Sequence, residues 1–188
     1  LDPSMEKHLW QLTSEEMEQT RQMIEEEENR DHTADIFDVF LVLLAQQRTR
    51  EDVVTALGII KDCFEKALAR GLFRHTSLFL SQLRQIRDEY ARENHWALPH
   101  LDEFFQIISG TKRLSSLKDV LRQPGSKDTE QWEDLRFTLS QLHPESVEAL
   151  IPLLQEAGSR EASEGIRSAV RELAERDARP LSRLARHA

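Results

Sequence analysis

The stretch Glu148–Leu184, EALIPLLQEAGSREASEGIRSAVRELAERDARPLSRL, decides how this chain folds. Val147, Leu150, Ile151 and Leu154 mark one helical face before Gly158. Ile166, Ala169, Val170, Leu173 and Ala174 follow at i, i+3, i+4, i+7 and i+8 after it, the spacing of an amphipathic helix. Ser159 is placed as the N-cap of that second helix, and Pro180 opens a third. Pro152 removes a backbone hydrogen bond from the first helix, so a bend near Glu148 is expected, with the helix running on to Gly158. Gly165 inside the second helix costs about 1 kcal/mol relative to alanine; close approach of a neighbouring helix and simple tolerance both account for it. A bundle would hide these faces, whereas a stack displays one. Leu181 and Leu184 stripe the last helix and call for a following neighbour, which favours the stack.

Further upstream, Trp132, Leu135, Leu139 and Leu142 form a helical seam, preceded by RQPGSKD from Arg122 to Asp128. Adjacent Pro and Gly among polar residues make this the strongest break in the chain. It suggests a region of irregular helical hairpins over 1–122, a linker at 123–127 and a repeat region over 128–188. Before the break, Leu101, Phe104, Phe105 and Ile108 predict a short helix ending at Gly110, with Leu114, Leu117, Val120 and Leu121 as its partner. Thr49 and Asp52 carry a capping signal. Val53, Ala56, Leu57, Ile60, Phe64, Ala67 and Leu68 then line one face down to Gly71, a C-terminal stop, and Leu72, Phe73, Phe79, Leu80, Leu83, Ile86 and Tyr90 return antiparallel. The helix from Ile36 to Leu44, which Thr33 can cap, is apolar almost all round and is expected to be covered on most sides. Thr13 with Glu16 opens a solvated helix to about Asn29, whose Glu25–Glu28 run reads as a wet face. No strand signal appears, and the prediction is all-α.

Composition agrees. Of 188 residues, 31% are charged and 6% aromatic, with six Gly and six Pro, a mixture that favours helix. The formal net charge of -9 argues against a nucleic-acid binder that works through a basic stripe. The negative excess lies in residues 1–31, while arginines outnumber carboxylates from 159 onward. Cys63 is the sole cysteine, so no internal disulfide forms; on a helical stripe between Ile60 and Phe64 it reads as a small buried apolar residue. The most apolar run, Ile36–Ala45, is too short to span a bilayer and contains Asp38. A cytoplasmic location is expected, as is a segment of a longer protein, since the chain opens at Leu1 and its last striped helix has no terminating Gly.

Gly71, Gly110 and Gly158 lie 39 and 48 residues apart, each closing the first helix of a pair. Helical pairs recurring near forty residues are a rough signature of HEAT or armadillo stacks. Residues 148–173 resemble a HEAT-type repeat: Leu150, Ile151, Leu153 and Leu154 hold the first helix, Gly158 and Ser159 the turn, Arg160 the start of the second helix, and Ala169, Val170 and Leu173 its face. Pro180, Leu181 and Leu184 resemble the start of another repeat. RGLFRHTSLFLSQL around Gly71 looks more like a tetratricopeptide-style hairpin, without that family's Trp and Ala positions. The resemblance implies a right-handed α-solenoid of antiparallel helical hairpins, HEAT-like in its C-terminal third, that binds proteins along a curved face without catalysis.

Little points to chemistry. His95, His100, Asp102 and Glu103 are close in sequence and carry donors that suit zinc or iron, yet a Pro-containing break divides them; they read as loop and cap residues. No phosphate loop, nucleophile elbow or HExxH spacing occurs. Bilin lyases among HEAT-like proteins leave an enzyme as a third reading that no residue here selects. Arg160, Glu164, Arg167, Arg171 and Glu175, spaced four, three, four and four, form the one nameable surface. They read first as i to i+4 ion pairs on a wet face, and Arg160, Glu164, Arg167 and Arg171 otherwise as a partner-binding stripe. The expectation is a scaffold that meets another protein, or another domain of the parent chain, with no cofactor, nucleic acid or membrane span. The alternative is a helical sensory domain whose small-molecule pocket is lined by Ile36–Leu44, Trp96, Phe104 and Phe105.

Overall fold

The computed structural model describes residues 33–122 and 129–187. The capped helix from Thr13, the Glu25–Glu28 run and the linker 123–127 lie outside the described residues. The rest is helical: α1 (Thr33–Gln46), α2 (Arg50–Arg70), α3 (Phe73–Glu93), α4 (Leu98–Ile108), α5 (Thr111–Leu114), a 3-10 turn (Ser115–Leu117), α6 (Lys118–Arg122), α7 (Thr129–Ser140), a second 3-10 turn (Pro144–Ser146), α8 (Val147–Leu153), α9 (Arg160–Arg176) and α10 (Arg179–His187). No strand occurs among the described residues.

Local chemistry places several ends. The Thr49 hydroxyl accepts from the Asp52 amide at 3.2 Å and starts α2. Gly71 ends it at φ 76°, ψ 24°; the Leu72 amide reaches back to the Ala67 carbonyl at 3.0 Å, the pairing that a left-handed residue makes possible. The Ser159 hydroxyl accepts from the Ala162 amide at 3.1 Å and starts α9. Pro152 acts differently from expectation. Instead of bending a helix that continues to Gly158, it is followed by the end of α8 at Leu153. The amides of Leu154, Gln155 and Glu156 then reach back only three residues, at 3.1–3.2 Å, a tightened turn that closes the helix.

Packing arranges α3, α7 and α9 side by side and parallel. Along the α3–α7 seam, the Gln131 side chain donates to the Gly71 carbonyl at 2.8 Å, the Thr138 hydroxyl donates to the Phe73 carbonyl at 3.0 Å and meets the Thr76 hydroxyl at 3.2 Å, and Arg84 reaches the Gln141 carbonyl. Along the α7–α9 seam, Trp132 meets Gly165, Arg136 meets Glu172 and Arg176 meets Ser140. Residue numbers rise together in both seams, so the three helices share a direction. α1 joins the same side through Phe37, whose ring stacks on Phe79 at 4.3 Å. On the other side, α2 packs against α4, α8 against α5, and α10 against α8. Between the sides lies one continuous core, holding Ile60, Phe64, Leu80, Leu101, Leu114, Leu135, Leu139, Leu150, Ile166 and Leu173.

Two expectations change here. α1 buries only Phe37 and Leu44 fully, while Val39 and Val42 remain 56% and 57% exposed. Among the described residues α2 and α3 pack on this helix and cover one side of it. Leu184, expected to need a following helix, is partly buried against the existing core, and Pro180 is buried; Leu181 stays exposed.

Gly158 matters through proximity. Its amide donates to the Leu121 carbonyl at 2.8 Å, and a β-carbon there would meet the Arg122 and Leu121 carbonyl oxygens at 3.0 and 3.1 Å. Gly158→Ala is expected to cost about 1–3 kcal/mol by overpacking backbone that cannot swing away. Gly58→Ala, inside α2 with no atom within 4 Å of the new methyl, should instead stabilise by about 0.5–1 kcal/mol. Opposite signs in urea unfolding check the pair; equal effects would mean that α6 is not held against the turn.

Candidate interaction surfaces

Arg160, Glu164, Arg167, Arg171 and Glu175 are all exposed. The i to i+4 ion pairs are not made: among the described residues none of the five joins a carboxylate or cation within 4 Å. The charges that do pair lie on the side of α9 facing α7, where Glu172 receives Arg136 Nη1 at 2.5 Å. Gly165 is buried on that same side. A β-carbon there would stand 3.3 Å from the Trp132 carbonyl oxygen, so close approach of α7 accounts for this glycine. Arg160 and Glu164 line a groove of about 340 Å³ between α7 and α9, together with Trp132, Glu133, Arg136 and Gly165. Arg167 and Arg171 do not reach it. The structure thus divides the stripe into a groove pair and an open-face pair.

At the opposite end of α7 the structure assembles a group that spacing did not reveal. Arg84 of α3 donates from Nε to the Gln141 carbonyl at 2.7 Å and from Nη2 to the Leu142 carbonyl at 3.0 Å. Arg176 of α9 donates from Nη2 to the Ser140 carbonyl and, at 3.2 Å, to that of Leu142. Two guanidiniums thereby cap one helix C-terminus, where unsatisfied carbonyls favour cations. Burial, with the nearby charges of Arg176 and Arg87, pushes Arg84 down to about 10; burial lowers Arg176 as well. The Arg84 guanidinium also lies 5.2 Å from the Phe105 ring centre. Arg87 is held differently, by Asp102 at 2.6 Å and Asp88 at 3.1 Å. These residues, with His143, surround a cleft of about 400 Å³.

Comparison with protein-family models, curated proteins and solved structures returned no match. Any functional reading therefore rests on these surfaces.

The metal and pocket candidates are taken apart by the fold. Asp102 is engaged by Arg87, and His95 stacks on Tyr90 at 4.0 Å while its Nδ1 accepts from the Ala97 amide. Among the described residues, no three His, Cys, Asp or Glu side chains stand close enough to hold a metal. Phe104 and Phe105 are core residues in edge contact at 5.8 Å, whereas Trp96 is 44% exposed. Phe104 lines a groove of about 170 Å³ with Val54, Leu57 and Ile107, and α1 lines separate depressions with α2 and α3. Phe104 and the α1 residues thus line different grooves among the described residues, and Trp96 lines none of these. Cys63 is partly buried against the core and borders the α1–α2 contact. No described helix is long and apolar enough to cross a membrane.

Nothing in the sequence tied Arg84 to Arg176, which are 92 positions apart. The only legible signal was that α9 carries arginine in its last turn, a position that suits a helix C-terminus.

Proposed function

We propose that this chain is a cytoplasmic, non-catalytic scaffold: an α-solenoid, HEAT-like toward its C-terminus, that holds another protein or another domain of the parent chain. The observation that carries this reading is the parallel row of α3, α7 and α9. Stacked helical pairs produce such rows, because each pair contributes one helix to each side and repeats the direction of the last. A row of that kind leaves a continuous outer face with few internal obligations. Leu78 on α3 and Phe137 on α7 are 58% and 45% exposed, and the arginines at 160, 167 and 171 of α9 are exposed as well.

The test joins shape to binding. Solution scattering of the chain should give an elongated, curved particle. A partner captured by the wild-type chain, purified and titrated back, should bind about tenfold more weakly to the Arg160→Glu, Arg167→Glu, Arg171→Glu variant, since rim charges act through steering and a few charge-assisted contacts. A spherical profile, or a reconstituted partner indifferent to the reversal, counts against the scaffold and its α9 face respectively.

A further inference from the structure

We propose that the cleft at the C-terminal end of α7, between Arg84 and Arg176, receives carboxylate side chains from an acidic segment of the protein partner. The proposal rests on the scaffold reading and names a second, chemically defined contact for it.

The charge balance of the cleft is the starting point. A helix C-terminus presents roughly half a negative charge, yet α7 draws in two full guanidinium charges from two different helices. Between them the two cap the Ser140, Gln141 and Leu142 carbonyls and leave this helix end with a positive excess. The carboxylates nearby are already taken: Asp88 and Asp102 by Arg87, and Glu172 by Arg136. Among the described residues neither Arg84 nor Arg176 has a carboxylate within 4 Å, and Arg84 Nη1 and Arg176 Nε and Nη1 donate to no protein acceptor. The fold therefore keeps two like charges together, Arg84 partly buried and Arg176 exposed, with spare donors beside an open cleft of about 400 Å³. Burial first, and then the charges of Arg176 and Arg87, lower Arg84 to about 10, and an arriving anion would offset both.

The chemistry of the walls selects the anion. Guanidinium forks match planar carboxylates in two-pronged geometry. Pro144 offers apolar surface for side-chain methylenes, with Phe105 buried behind Arg84 and Gln106 and His143 as polar neighbours. A nucleic acid is disfavoured because the chain carries a formal charge of -9 and the cleft offers two open guanidiniums, while polyanion binding scales with the number of phosphates neutralised.

The experiment uses the whole chain and fluorescein-labelled hexaglutamate, read by anisotropy, with hexaglutamine and inorganic phosphate for comparison. Hexaglutamate should bind, hexaglutamine should not, and the Nε–H signals of Arg84 and Arg176 should shift on titration. Arg176→Gln keeps a donor for the α7 carbonyls but loses the charge, and should weaken binding about tenfold. Arg84→Lys keeps the charge and loses the fork; it should weaken binding severalfold in a chain that circular dichroism shows to be folded at the assay temperature. Equal affinity for hexaglutamine, unmoved arginine signals, wild-type affinity in both variants, or phosphate binding tighter than the peptide would each overturn the cleft. If hexaglutamate fails while a reconstituted partner still binds through the α9 face, only the cleft is lost. A spherical particle with no reconstitutable partner removes the scaffold reading beneath it.

Discussion

Truncating Leu139 to alanine is expected to lower the unfolding free energy by about 3–4 kcal/mol. Leu139 is fully buried on α7, the helix that touches both α3 and α9. Its removal loses the transfer energy of the deleted methyl and methylene groups, and it leaves a cavity that flanking helices, tied by the Thr76–Thr138 and Arg176–Ser140 contacts, cannot collapse into. Because α7 joins the two seams, the loss should appear as one earlier transition rather than two. Urea unfolding followed by far-ultraviolet circular dichroism and by tryptophan fluorescence checks this, with Trp132 on the same helix. Phe137→Ala, two residues away but exposed, should change stability by no more than about 0.5 kcal/mol. If the two substitutions cost the same, α7 is not the centre of the packing.

The second large effect concerns α1. Phe37→Ala should remove about 3 kcal/mol of packing, since its ring is buried and stacked on Phe79 at an interplanar angle of 20°. Among its described side chains α1 has one other fully buried apolar anchor, Leu44. The loss should therefore release α1 locally before it unfolds the remainder. Hydrogen exchange will show it: amides of α1 should lose protection by orders of magnitude, while those of α7 and α9 keep theirs. Uniform loss across all helices would mean that α1 is as integral as α7. Local release would leave Ile36, Val39, Val42 and Leu43, already exposed, on a helix free to find other apolar surface.

Much of the local structure was legible because its causes are local. The Thr49 and Ser159 caps, the Gly71 stop and the faces of α2, α7 and α9 follow from hydroxyl reach, backbone freedom and apolar spacing, all set within a few residues. Where long-range contact decides, the same reasoning drifted. Pro152 was expected to bend a helix that in fact ends at Leu153, with Gly158 bonded to Leu121 from a different helix. The partner of α4 was expected as one helix and is broken into α5, a 3-10 turn and α6. Arg160, Glu164, Arg167, Arg171 and Glu175 were readable as one exposed face, but not as charges left unpaired.

By itself the sequence determined that this chain is helical, where most helices begin and which faces they bury, because capping, propensity and periodicity act over one or two turns. Only the tertiary structure decided that α3, α7 and α9 run side by side, that Gly165 serves a close approach to Trp132, and that Arg84 and Arg176 converge on one helix end. Those facts depend on packing between residues far apart in the chain, and no local interaction encodes which helix a given face will meet.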